Sequence, residues 1–185
     1  MSDQRSGWTT LDRRIVYENP WIRVEHDDVI NPSGGEGIYG VVRFQNIAIA
    51  ILPLDDQMHT WLVGQHRYTL DSYEWEIPEG GCPLAEDPLD AARRELAEET
   101  GLHAERWDRI LDLQTSNSVT DERAICYVAR HLTQADSDPD ETEDLTVRRV
   151  SLDEAVAMAL DGRIRDALSV STLLTVDHMR RTGRL

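Results

Sequence analysis

Between Gly80 and Leu102 the chain spaces nine residues in a way that leaves its fold little freedom: Gly80, Glu86, Arg94, Glu95, Leu96, Glu98, Glu99, Gly101 and Leu102. Local signals make this segment a helix. Asp87 is a good N-cap, Pro88 suits the first helical position, and Gly101 suits the C-terminal cap. Leu89, Ala92 and Leu96 recur at helical spacing. On such a helix Glu95 and Glu99, four apart, share one face, and Glu98 lies beside them. Carboxylates crowded on one face repel each other, and a divalent cation offsets that repulsion best. All-oxygen ligation at this density suits Mg²⁺ or Mn²⁺ rather than zinc. Arg94 and Glu86 are placed to orient the cluster. Taken alone, Glu-x-x-Glu-Glu is better explained as a solvated acidic face. The full spacing recurs by chance in roughly one chain in 10⁷ at average composition, and this decides against the solvated face.

The flanking sequence supplies strands. Trp21 to Glu25 alternates with period two, Asn31 to Gly35 reads as a turn, and Tyr39 to Phe44 is extended. Asn46 to Leu52 is apolar on both faces, as a buried central strand should be. Thr60 to Arg67 reads as its partner across a turn at Asp55 to Gln57. After the helix come strands around Ile110–Gln114 and Ala124–Ala129, an acidic loop from Gln134 to Asp144, and a short strand at Val147–Val150. A capping box at Ser151 to Glu154 opens a helix to Leu160, and an amphipathic helix follows from Asp166 to Arg180. The order predicts an α+β fold with a mixed sheet. With 185 residues and no repeat or linker, the chain divides into a flexible N-terminus at 1–10, N-terminal strands at 11–45, and a main domain at 46–185.

Nineteen Lys and Arg against 35 Asp and Glu give a net charge of −16, which repels nucleic-acid backbones. Small phosphorylated substrates remain open, because a metal ion bridges carboxylates to phosphates. Two cysteines, Cys82 and Cys126, exclude a disulfide framework and a cysteine-rich zinc site. The opening MSDQRSGW has no signal-type apolar region, and the longest apolar run, Ile47 to Leu54, is too short to span a bilayer. The expectation is a cytoplasmic protein with neither membrane nor nucleic-acid partners.

The nine positions match the Nudix box without a gap, so the chain resembles the Nudix hydrolases. Gln65-His-Arg-Tyr68, Glu74-Trp-Glu-Ile-Pro-Glu-Gly80, Asn19-Pro-Trp-Ile-Arg-Val24 and Gly40-Val-Val42 are similar to the approach to the box in ADP-ribose and nucleotide-sugar pyrophosphatases. Gly162 to Ser169 is similar to that subfamily's last-helix entry. The resemblance implies an α/β/α sandwich around a mixed sheet, with an extra N-terminal antiparallel strand region. It implies Mg²⁺-dependent (alternatively Mn²⁺-dependent) hydrolysis of a nucleoside-diphosphate sugar to a nucleoside monophosphate and a sugar phosphate. ADP-ribose is the leading candidate, and GDP-mannose or another nucleotide sugar the closest alternative. By the same resemblance Glu95, Glu98, Glu99, the carbonyl of Glu79 and the later Glu143 hold metal, and the N-terminal strands form a homodimer. Glu141, or a box residue such as Glu98 beside Arg94, activates water.

Substrate contacts are expected at Arg67, Trp21, Gly81, Ser116 and Glu122. Arg67 suits a diphosphate clamp or a surface ion pair. Trp21 suits stacking on a base, or core or dimer packing. Glu122 suits a sugar hydroxyl or an ordinary strand edge. The chain departs from many ADP-ribose pyrophosphatases in having Ser116-Asn-Ser118 where they carry a proline beyond the box. The rival reading is a Nudix fold that senses a nucleotide sugar without turnover, against which the intact box and the short chain both argue. RNA decapping is opposed by the charge of −16.

Overall fold

The run that is apolar on both faces is covered on both faces. In the computed structural model, which describes residues 7–134 and 145–185, this run is β4 (Asn46–Pro53). It lies inside a four-stranded sheet ordered β7 (Glu79–Pro83), β4, β9 (Arg123–Gln134), β8 (Leu102–Gln114), with β4 and β9 parallel. Strand alternation divides these residues between two cores. Ala50 and Leu52 of β4 join Ala124, Cys126 and Val128 of β9 on one face. Ile49 and Ile51 join Ile125, Tyr127 and Ala129 on the other. The first core is closed by α2 (Leu152–Asp161) and α3 (Ala167–Arg181) through Leu152, Ala155, Met158, Leu173 and Val176. The second is closed by α1 (Pro88–Thr100) through Ala91, Ala92 and Leu96. Each fully buried Leu or Ile contributes about 1.5–3 kcal/mol. The result is the α/β/α sandwich with a mixed sheet, in the α+β class, that the sequence predicts.

The helices end where their caps dictate. Asp87 Oδ1 accepts the Leu89 N–H at 2.8 Å, and Gly101, at φ 67, donates its N–H to the Ala97 carbonyl. That left-handed residue lets β8 start at the next position. Ser151 Oγ caps α2 through the Glu154 N–H at 3.1 Å, and Asp166 caps α3 through the Ser169 N–H at 2.7 Å.

The expected pairing of β4 with the following strand does not occur. β5 (His59–Arg67) instead lies between β10 (Thr146–Ser151) and β6 (Ser72–Glu76), antiparallel to both. Both edges of β4 are already taken by β7 and β9. The connecting turn, with Met58 at φ 59 and Asp55 Oδ1 accepting the Gln57 and His59 N–H groups at 2.9 Å, delivers the chain to a second sheet.

Contacts divide the chain into two units. The first, residues 1–46 with 114–122, holds the antiparallel sheet β1 (Thr9–Glu18), β2 (Ile22–Ile30), β3 (Glu36–Phe44). Its segment 114–122 docks on β3: the Val42 N–H reaches the Val119 carbonyl at 2.9 Å, and Tyr39 Oη the Ser118 carbonyl at 2.6 Å. This segment falls in the first unit although its sequence position is inside 46–185. Of the N-terminus expected to be loose at 1–10, residues 1–6 lie outside the described residues, and Thr9 and Thr10 belong to β1, paired with Ile30 and Val29. The second unit holds 47–113 and 123–185. Among the described residues no helix is long and apolar enough to cross a membrane.

Candidate active site

The second unit seats one face of α1 against the Glu79–Gly81 stretch at the start of β7. A Cβ built on Gly80 would overlap the Glu95 carboxylate, so only glycine leaves that carboxylate its place. Glu99 is buried, and its Oε2 accepts the Glu79 N–H at 3.0 Å. Glu98 stands at the more open edge. Arg94 ties the group together: its guanidinium donates to Glu95 at 2.7 Å, Glu98 at 3.0 Å, the Gly81 carbonyl at 3.0 Å and Glu86 at 3.4 Å. Burial works against the Arg94 charge, but Glu95, Glu86 and Glu98 outweigh it and raise the guanidinium pKa.

Glu79 turns its side chain toward α3. Its Oε1 accepts from Ser169 Oγ at 2.8 Å, and Ser169 Oγ accepts the Ile77 N–H at 3.0 Å. Burial, then the Asp166 carboxylate, push the Glu79 carboxyl well above the usual range. The side chain is therefore committed to α3, and Glu79 meets the box through its backbone.

Among the described residues, no three His, Cys, Asp or Glu side chains are gathered closely enough to hold a metal ion as they stand. As they stand, Glu95 and Glu98 are both paired with Arg94, and Glu99 accepts the Glu79 N–H. The donors nonetheless fit a hard divalent ion: Glu95, Glu98 and Glu99 are all oxygen ligands on one helix face, beside a residue without a Cβ.

The structure thus brings together Glu79, Gly81, Arg94, Glu95, Glu98 and Glu99. Arg67, at the end of β5, forms a forked pair with buried Glu76, with Nε 2.9 and 3.0 Å from the two carboxylate oxygens. Trp21, Ser116 and Glu122 belong to the first unit. Trp21 is 65% exposed, which removes core packing from its alternatives. The Ser116 carbonyl accepts the Val119 and Thr120 N–H groups at 3.0 and 2.9 Å, and Glu122 accepts from Thr115 Oγ1. Glu141 and Glu143 lie outside the described residues. Sequence reasoning missed Ser169, Asp166 and Glu76. Asp166 carries a local signal, as a helix cap. The bonds of Ser169 span 90 and 92 residues and carry none.

Comparison with known proteins adds two family matches, two relatives and one solved structure. The NUDIX domain family matches residues 44–171, and the nucleoside diphosphate sugar hydrolase N-terminal domain matches residues 8–42. An ADP-ribose pyrophosphatase of Mycobacterium tuberculosis is 32% identical over 178 residues, covering 94% of this chain and 84% of that protein. A methanol dehydrogenase activator of Bacillus methanolicus is 30% identical, covering 87% and 88% respectively. The crystal structure of an ADP compounds hydrolase superposes with a TM-score of 0.85 at 26% identity, covering 96% of this chain and 97% of its own.

Proposed function

This chain belongs to the Nudix family, and on that premise we propose that it is a pyrophosphatase of nucleoside-diphosphate sugars, with ADP-ribose the leading substrate and Mg²⁺ the leading metal. The reaction adds water across one P–O–P linkage, so ADP-ribose and water give AMP and ribose 5-phosphate. The observation that carries this reading is the seating of Glu95, Glu98 and Glu99 on one face of α1 against Gly80, fastened by Arg94. Those carboxylates, with the backbone of Glu79, are the groups to hold the ion. When bound, the ion neutralises the diphosphate and polarises a phosphoryl oxygen.

The chain's own residues supply the rest. Arg94 holds Glu95 and Glu98 in place. Arg67, held by Glu76, presents a guanidinium to the diphosphate. Glu141, or a box glutamate, takes the proton of the attacking water. Trp21, largely exposed, offers a flat face to the base. The same proposal includes a homodimer. Leu11, Ile15, Val16 and Tyr17 of β1 and Ile38 of β3 are each more than half exposed, and this much apolar side chain left open on one sheet favours a second copy.

Incubation with Mg²⁺ and a panel of nucleotide sugars, dinucleotides and nucleoside triphosphates, with products identified, tests the reading. AMP and ribose 5-phosphate from ADP-ribose support it. A far higher kcat/KM for ATP or dGTP than for every nucleotide sugar overturns it.

A further inference from the structure

β6 does something that a half-buried strand ordinarily avoids: it buries two carboxylates, Glu74 and Glu76, each 5% exposed. Being two apart, they lie on one face of the strand. Each is held by a guanidinium from a different element. Arg67, from the end of β5, takes Glu76. Arg165, from the connection between α2 and α3, takes Glu74, and Ser72 Oγ adds a bond to Glu74 at 2.5 Å. Both arginines use Nε and Nη2 on their carboxylates, and among the described residues the Nη1 of each makes no hydrogen bond. A cavity of about 310 Å³ opens here, lined by both arginines, both glutamates, Thr69 and Asp166 among others.

We infer that Arg165 and Arg67 together form a subsite for one phosphoryl group of the substrate in this cavity. Residues two apart on a strand are about 7 Å apart. Two guanidiniums anchored at that spacing leave room for one tetrahedral anion between them, with charge-assisted bonds of about 2.8 Å on either side. Burial of Glu74 and Glu76 fixes the orientation of both forks, so little side-chain freedom is lost when the anion binds. Each pair is neutral by itself, and Asp166 is the one carboxylate of the lining outside the two pairs. The position is also right. Asp166 lines the cavity and bears on the Glu79 carboxyl, so the cavity adjoins the head of the box.

The inference rests on the nucleotide-sugar reading, because that substrate carries the phosphoryl group in question. Two variants test it. Arg165→Lys keeps the charge and loses the fork. Glu74→Gln with Arg165→Gln removes both charges and strands no buried carboxylate. With ADP-ribose and saturating Mg²⁺, each should raise KM by ~10-fold while kcat changes less than ~3-fold, as expected when binding common to ground and transition states is lost. Titration of the metal-free protein with inorganic phosphate, followed calorimetrically, should show affinity falling by a similar factor. Circular dichroism checks the fold, and the double variant carries the test if the lysine variant is unstable. KM and phosphate affinity within twofold of wild type in a folded variant overturn the subsite. If wild-type protein cleaves no nucleotide sugar, the functional reading fails instead. The phosphate titration then decides the subsite alone, since equal affinity in wild type and variants overturns it.

Discussion

Replacing Gly80 with alanine separates what this residue does for folding from what it does for the metal site. Gly80 is not among the glycines with positive φ, so alanine takes up its backbone without strain. The reduced entropy of the unfolded chain then stabilises the fold by about 0.4–1 kcal/mol. The new methyl group overlaps the Glu95 carboxylate. That carboxylate is the end of a flexible side chain, so it moves and the backbone stays. The move breaks the 2.7 Å contact with Arg94, whose side chain is 39% exposed while that of Glu95 is 13% exposed. A charge-assisted contact with one largely buried partner contributes about 1.5–3 kcal/mol. The loss exceeds the gain by about 1–2 kcal/mol, and the melting temperature should fall by roughly 2–8 °C. Activity should fall much further. One of the carboxylates assigned to the ion has left its position, and loss of a preorganised charged group costs ~10²-fold in turnover or more. Release of AMP from ADP-ribose across a Mg²⁺ titration, beside thermal melting by circular dichroism, measures both. A Gly80→Ala protein that melts with wild type and keeps its kcat and Mg²⁺ half-saturation refutes the assignment of Glu95 to the metal.

Three further outcomes are expected. Glu98→Gln and Glu99→Gln keep shape and remove charge, so each should lower turnover by at least ~10²-fold with native circular dichroism; near-normal rates in both would sink the metal site. Glu141→Gln should lower kcat more than it raises KM, whereas Glu143→Gln should raise the Mg²⁺ concentration for half-maximal rate, and wild-type kinetics in both would move the general base into the box helix. Ser169→Ala leaves the buried Ile77 N–H and the Glu79 carboxyl without their shared partner, so urea unfolding should show a loss of about 1–3 kcal/mol, and an unchanged midpoint would deny Ser169 its bridging role.

The parts legible in the sequence are those whose causes are local. Asp87, Pro88 and Gly101 start and stop α1 through contacts within a few residues. The doubly apolar run of β4 announces that it is covered on both sides, though not by what. Its parallel partner β9 lies far along the chain, and only assembly selects it over the nearby β5. β6 was hidden for a different reason. Pattern reading places charged residues outside, and Glu74 and Glu76 are inside. Their burial is tolerable because Arg67 and Arg165 accompany them, the latter from 91 residues away. Where charges go inward in pairs, alternation of polarity no longer reports which face is buried.

Under the proposed function a chain of net charge −16 has to receive a polyanion. The α1 face and the β6 face solve that problem in opposite ways. On α1, carboxylates crowd around one guanidinium, and under the proposed function their surplus of negative charge would draw a divalent ion and, with it, a phosphate. On β6, two guanidiniums sit over two buried carboxylates, and the charge is balanced before any ligand arrives. The first face depends on metal and should lose its grip when a chelator is added. The second does not, so its affinity for phosphate should survive the chelator and weaken only with salt. Under the proposed function a diphosphate offers one charged group to each face.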